Sequence, residues 1–280
     1  MRQSTILVAL SGEDFQEKII QKTVALANGK DITLVFLHVI KELGLELFRL
    51  KDMIDTQKLK ERLTATIQSY RPTVPFEVDV AFGSDPSSVI LKQAEVHQAQ
   101  MIVVGSNEKS PGLGSIARKV LQHSYLPVFV VKNEHTHGMK LLHALDMRNE
   151  VLEINCEICD RLLQGYEQHY LYAYDGVKNL AYKYQNVAIY QAGDFHSRVA
   201  AGLEEARSRF SRIHPDAILD VMEIHEDASS EIVSYAKNKG YNLIMMTSKH
   251  SGGLSSIIFG SVAAKVAKMS EADLLVTYDK

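Results

Sequence analysis

Residues 5–12 read TILVALSG and residues 139–147 read MKLLHALDM. Each is a short apolar run closing on a small or acidic residue, and the two are versions of one element. Laying Leu10 on Leu145, an offset of 135, also lays LVFLHV (34–39) on HYLYAY (169–174). Further along, SDPSSVILKQA (84–94) falls on EDASSEIVSYA (226–236), and MIVVGS (101–106) on LIMMTS (243–248), both at an offset of 142. GSIARKVL (114–121) falls on GSVAAKVA (260–267) and PVFVV (127–131) on DLLVT (273–277), at an offset of 146. The blocks keep their order and the offset grows only between them, which marks an internal duplication. The polar stretch NEHTHGM (133–139) is the expected linker between domains at 1–134 and 139–280.

Within each copy the periods alternate. Apolar runs rich in Val, Ile and Leu read as strands buried on both faces, near 5–10, 32–39, 75–82, 100–105 and 126–132 in the first copy. Segments with helical apolar spacing lie between them, near 14–28, 44–69, 86–97 and 115–124. Strand–helix alternation implies a parallel sheet with right-handed crossovers. The expected fold class is α/β, two tandem five-stranded parallel-sheet domains in the flavodoxin-like order 3-2-1-4-5, forming a pseudo-twofold pair. In such sheets ligands sit beyond the carboxyl ends of strands where the strand order reverses, here between the first and fourth strands.

The fourth strand of each copy runs into a Gly/Ser loop that ends in Gly-Ser at a helix start: Gly114-Ser115 and Gly260-Ser261. With Ser115 or Ser261 as N-cap, free N–H groups and the helix dipole make an anion site. Strand five of each copy is a sheet edge that must be paired or covered.

Composition narrows the classes. The 280 residues are 46% hydrophobic and 23% charged, which suits globular domains of about 150 residues. Lys plus Arg (31) against Asp plus Glu (34) leaves −3, so no global excess of positive charge points to nucleic acid. No apolar run approaches the 18 or so residues of a membrane span, and the opening MRQSTILVALSGED does not read as a secretory signal. Two cysteines make no disulfide framework, so a cytoplasmic location is the default expectation. Cys156 and Cys159 form a C-x-x-C inside a helical pattern, which reads as core packing; His135 and His137 read as linker polarity. No G-x4-G-K-[ST] occurs, which excludes a P-loop. Tyr170, Tyr172 and Tyr174 alternate along one strand and share a sheet face, either packed beneath a helix or lining a ligand cavity.

The opening ILVALSG, the strand TLVFLHVI, the turn Gly83-x-Asp85-Pro86 and the ending VVGS…GS…LPVFVV together resemble the universal stress protein family. The whole chain is similar to its tandem members, those of the E type, with two domains of the adenine nucleotide alpha hydrolase-like fold. The resemblance implies a regulatory binding protein in stress resistance, without dedicated catalysis. It also implies ATP or another adenine nucleotide as ligand, with no metal required, and dimers built through strand five. In one chain carrying both copies, Val128–Val131 is then expected to pair antiparallel with Leu274–Thr277; a further homodimer through other faces stays open.

The nucleotide-binding branch resembles G-x2-G-x9-G-[ST] after strand four, with an Asp at the end of strand one. In the first copy Ser11 stands for the Asp, Glu108 for the second Gly, and only five residues precede Gly114-Ser115, so that site reads as degenerate. In the second copy Asp146 is in place and the nine-residue spacing to Gly260-Ser261 is kept, although Thr247 and His250 replace the two glycines. The residues implied to bind are Asp146, Tyr174 at the end of strand two, Thr247, His250, Gly260, Ser261 and Val262. Thr247 and His250 either serve the phosphates or narrow the pocket. Two other readings remain: a slow ATPase or phosphotransferase at the second site, and a carrier of an apolar ligand suggested by the tyrosine strand.

Overall fold

The computed structural model describes residues 4–10, 16–42, 54–106, 112–145, 157–175, 192–248 and 260–278. The first half contributes β1 (Ser4–Leu10), α1 (Gln16–Ala27), β2 (Ile32–Lys41), α2 (Thr56–Ser69), β3 (Phe76–Gly83), α3 (Pro86–Val96), β4 (Met101–Gly105), α4 (Ser115–His123) and β5 (Val128–Val131). The second contributes β6 (Lys140–Leu145), α5 (Glu157–Leu162), β7 (Glu167–Asp175), α6 (Ala192–Ile213), β8 (Leu219–Ile224), α7 (Ala228–Lys239), β9 (Leu243–Ser248), α8 (Ser261–Met269) and β10 (Asp273–Tyr278). The helix expected over 44–69 starts at Thr56 among the described residues. Asp55 accepts a hydrogen bond from the Lys58 amide, 3.0 Å away, and caps it there.

All ten strands form one sheet, in the order β3-β2-β1-β4-β5-β10-β9-β6-β7-β8. Each half has the order 3-2-1-4-5 with parallel neighbours, and β3 and β8 are the outer strands. The halves meet where β5 and β10 pair antiparallel, Val128 opposite Val276 and Val130 opposite Leu274. Both strands are buried along their whole length, the state that runs of Val, Leu and Phe impose when helices cover both faces.

The two core layers cross this seam. On one face Ile102, Val120 and Val130 of the first half join Ile244, Val266 and Leu274 of the second. On the other, Ile6, Ile20 and Phe129 join Leu141, Ile158 and Leu275. Polar ties follow the same path: Lys30 Nζ reaches the Leu162 carbonyl at the end of α5 (2.8 Å), and Arg161 donates to Ser4 Oγ (2.8 Å).

The duplication extends to side chains. Position 132 follows β5 as position 278 ends β10, and each donates to the helix of the other half. Lys132 Nζ donates to the carbonyls of Ala267 and Ser270 at the end of α8, and Tyr278 OH donates to the Leu121 carbonyl near the end of α4 (2.7 Å). Asp85 and Asp227 stand at the N-cap positions of α3 and α7, where Asp227 accepts the Ser230 amide and Asp85 accepts the Ser87 and Ser88 hydroxyls instead. Each pairs with a lysine of the following helix, Lys119 (3.2 Å) and Lys265 (2.7 Å).

One contact has no such repeat. Lys22 of α1 and Asp273 of β10 form an ion pair at 2.7 Å, 1% and 0% exposed. Desolvation pushes the Lys22 pKa down and the Asp273 pKa up, against their mutual attraction. The rest of the cage is the linker. Lys22 also donates to Asn133 Oδ1 (2.9 Å) and the His135 carbonyl, while Asp273 Oδ1 accepts the amides of Lys132 (2.7 Å) and Asn133 (3.0 Å). Breaking one partner of such a pair leaves an uncompensated buried charge. Lys22→Met is expected to lower stability by about 3–5 kcal/mol in urea unfolding; a loss within the range of exposed pairs, under about 1 kcal/mol, would contradict the role given to it.

Candidate functional site

Parallel strands bring their carboxyl ends to one edge of each half. In the second half that edge holds the ends of β6 at Leu145, β7 at Asp175 and β9 at Ser248, and the amino end of α8. Because β5 and β10 run antiparallel, the corresponding edge of the first half faces the opposite way.

The start of α8 departs from the expectation in one respect. Gly260, with φ −53°, is the N-cap, and Ser261 is the first helical residue; Gly114 and Ser115 stand the same way at α4. Among the described residues neither helix has a side-chain cap hydrogen bond at its N-cap glycine. A Cβ placed on Gly260 would meet no described residue beyond its chain neighbours within 4 Å. Ser261 is exposed, and Val262 is half-buried against the core.

Thr247 lies at the end of β9, opposite Thr277 of β10, and the two hydroxyl oxygens are 3.0 Å apart. Its counterpart in the first half is Gly105, opposite Val131 in the same register. The threonine thus adds a side chain where the first half has none, and its hydroxyl is engaged across the strands. Tyr174 is half-buried near the carboxyl end of β7, with its ring 6.2 Å from that of Tyr172. Tyr170 and Tyr172 pack with Ala206 and Phe210 of α6, and the Tyr170 ring stacks on His143 at 4.5 Å. Burial holds His143 down at about 4, a neutral ring in this stack. Asp146 and His250, like Ser11 and Glu108 of the first half, lie outside the described residues.

The first turns of α7 and α8 are joined by charge. The Asp227 carboxylate is held below its ordinary pKa chiefly by the hydrogen bond from Lys265, one turn into α8. Asp85, its counterpart, is lowered to about 2, chiefly by Ser87 Oγ. The sequence reading passed over Lys119 and Lys265, although both sit in the repeated GS-x-A-x-K blocks and Asp85 and Asp227 in the repeated D-x-S-S blocks.

Cys159 is buried among Ile158, Leu162 and Leu163, as expected of a core residue, but it is disulfide-bonded rather than a thiol; Cys156 lies outside the described residues. No helix among the described residues is long and apolar enough to cross a membrane, and no group of three potential metal ligands gathers among them.

The universal stress protein family model matches residues 3–132 and again 165–277. The chain belongs to that family. Its fold is similar to that of a functionally unknown protein from Pseudomonas aeruginosa PAO1, with a TM-score of 0.71 at 18% identity over 98% of this chain and 92% of that one. A universal stress protein from Archaeoglobus fulgidus DSM 4304 matches over 100% of both chains, with a TM-score of 0.65 and 17% identity. A second A. fulgidus universal stress protein, solved in complex with dAMP, matches 47% of this chain and 100% of its own, with a TM-score of 0.38 and 21% identity. No curated protein matches the chain.

Lys132, between the core and the end of α8, has its pKa brought down to about 8, chiefly by burial. A lysine that loses its proton sooner when folded leaves the unfolded chain with more protons between about pH 8 and 10.5, so stability rises with pH there. Above about pH 10 the buried phenols of Tyr166 and Tyr278, raised by desolvation, act in the opposite sense. The urea midpoint is therefore expected to climb from about pH 7.5 to 9.5, and to climb less in Lys132→Met. An equal rise in both proteins would show that Lys132 is not the group responsible.

Proposed function

We propose that this universal stress protein is a regulatory binding protein whose second half takes one adenine nucleotide per chain, ATP or a close relative. The observation that carries the reading is the start of α8 at Gly260-Ser261, with a glycine N-cap that offers no side-chain acceptor to the first turn, on the same edge as Tyr174 and Thr247. Anions bind such ends through free N–H groups and the helix dipole. Asp146 would hold the ribose or adenine, and His250 would face the phosphates. The first half, with Ser11, Glu108 and a loop shorter by four residues, is read as a site that no longer binds. Domains at 1–134 and 139–280, joined through 133–139, complete the proposal, together with a cytoplasmic role in stress resistance. The packing of Tyr170 and Tyr172 against Ala206 and Phe210 of α6 supports the packing reading of that strand over an apolar carrier.

Titration calorimetry with ATP tests this. One site per chain is expected, abolished by Asp146→Ala and untouched by Ser11→Ala. One lost charged hydrogen bond is worth about 1.5–3 kcal/mol, or roughly ten- to hundredfold in affinity. Two equal sites, or binding indifferent to Asp146, would overturn the assignment. Should no heat appear, His250→Gly is expected to restore binding, and its failure to do so counts against a nucleotide.

A further inference from the structure

We infer that the first half serves the second-half site as a positioning element: Lys132, with Gly112 beside it, holds α8 by its carboxyl end and so fixes where the Gly260-Ser261 end stands. This rests on the nucleotide reading given above and adds to it a role for residues of the half that lacks a site.

α8 has nine residues, a rod of about 13.5 Å. With no side-chain cap at its start, its placement depends on Ala263, Val266 and Ala267 in the core, on the Lys265–Asp227 pair, and on whatever holds its far end. That far end belongs to the other half. The last carbonyls of a helix have no partner within it, and a cation there both satisfies them and meets the negative end of the dipole. Lys132 does this, donating to the Ala267 and Ser270 carbonyls from just beyond β5.

Gly112 supplies an independent contact. It lies in the loop after β4, the segment that in this family's pattern would carry ligand groups. Its φ is +112°, and a Cβ there would come within 3.0 Å of Lys268 Cγ and 3.6 Å of the Lys268 Cα and carbonyl oxygen. Gly112 thus lies against α8 at Lys268, in a conformation that favours glycine.

The symmetry-related contact sharpens the point. At α4, whose start faces the site read as degenerate, the gripping group is the neutral phenol of Tyr278. At α8, whose start faces the site read as competent, it is a lysine with two acceptors. The charged and doubly bonded grip is therefore on the helix whose position matters, since a cradle for phosphate loses its worth when its supports are loose by about 1 Å.

Calorimetry with two probes, ATP and adenosine, separates positioning from general damage, because adenosine lacks the phosphates that meet α8. In Lys132→Met and in Gly112→Val, ATP affinity is expected to fall about tenfold while adenosine affinity stays as in the wild type. Lys132→Arg, which keeps the charge and the donors, is expected to keep ATP affinity. Equal weakening of both ligands, or no change in either, would overturn the inference. Should Lys132→Met fail to fold, Gly112→Val carries the comparison. If the wild type binds neither probe, the nucleotide reading fails, and amide exchange in the ligand-free protein decides the positioning claim. Faster exchange at Ser261–Lys265 in the variants supports it, and a change confined to residues beyond Val266 refutes it.

Discussion

The antiparallel pairing of β5 with β10 is the constraint on which the other features turn. Each strand would alone be an exposed edge of apolar residues, and pairing them hides both in one step. It also fixes the rest. Only with these strands side by side can Lys132 reach α8 and Tyr278 reach α4, and only then does Asp273 come beneath α1 to meet Lys22. Both core layers run through the seam, so the halves share one hydrophobic interior on each face of the sheet.

The duplication made the fold legible. Apolar runs that alternate with helical segments suit the inside of a parallel sheet, and their repetition carried the reading of the first half over to the second. The seam was legible too, because strand five is an edge to be paired or covered and the family resemblance implied dimers built through it. Less of the site could be read. Gly-Ser at a helix start signals an anion cradle, but which of the two residues caps the helix depends on backbone angles that composition does not reveal. Gly260 takes the cap, and Ser261 falls inside the helix. The threonine at 247 was visible as a departure from glycine, whereas its hydroxyl contact with Thr277 depends on the register of β9 against β10. Nothing local marks Lys132 as a lysine that will cross a domain seam, and Lys119 and Lys265 are marked only by their place in the repeated GS-x-A-x-K blocks.

The two halves are alike in plan and unlike in detail, at the strand-end loops and again where the chain passes from one to the other. Asp273 falls where the first half has Pro127, so the Lys22 cage cannot be repeated. Its function is local: it gathers the linker residues Asn133 and His135 against α1, and Asn242, which accepts the Lys140 amide at its side chain, ties the start of β6 to the same place. A buried ion pair of this kind adds little net stability when complete. What it supplies is a single permitted path for the linker, and with it a single way of seating the second half on the first.

The outer strands carry a different consequence. With the inner edges consumed, β3 and β8 are where the sheet could go on growing. β3 bears Glu77 and Asp79, and β8 bears Asp220 and Glu223. Lys60 partly balances Asp79, and Tyr235 engages Asp220, but both margins remain acidic in character. Bringing two such margins together would set carboxylates against carboxylates across strands about 4.8 Å apart. The joint that lets two domains share a sheet is apolar, whereas both margins carry carboxylates, so edge-to-edge growth of the sheet would have to bring like charges together.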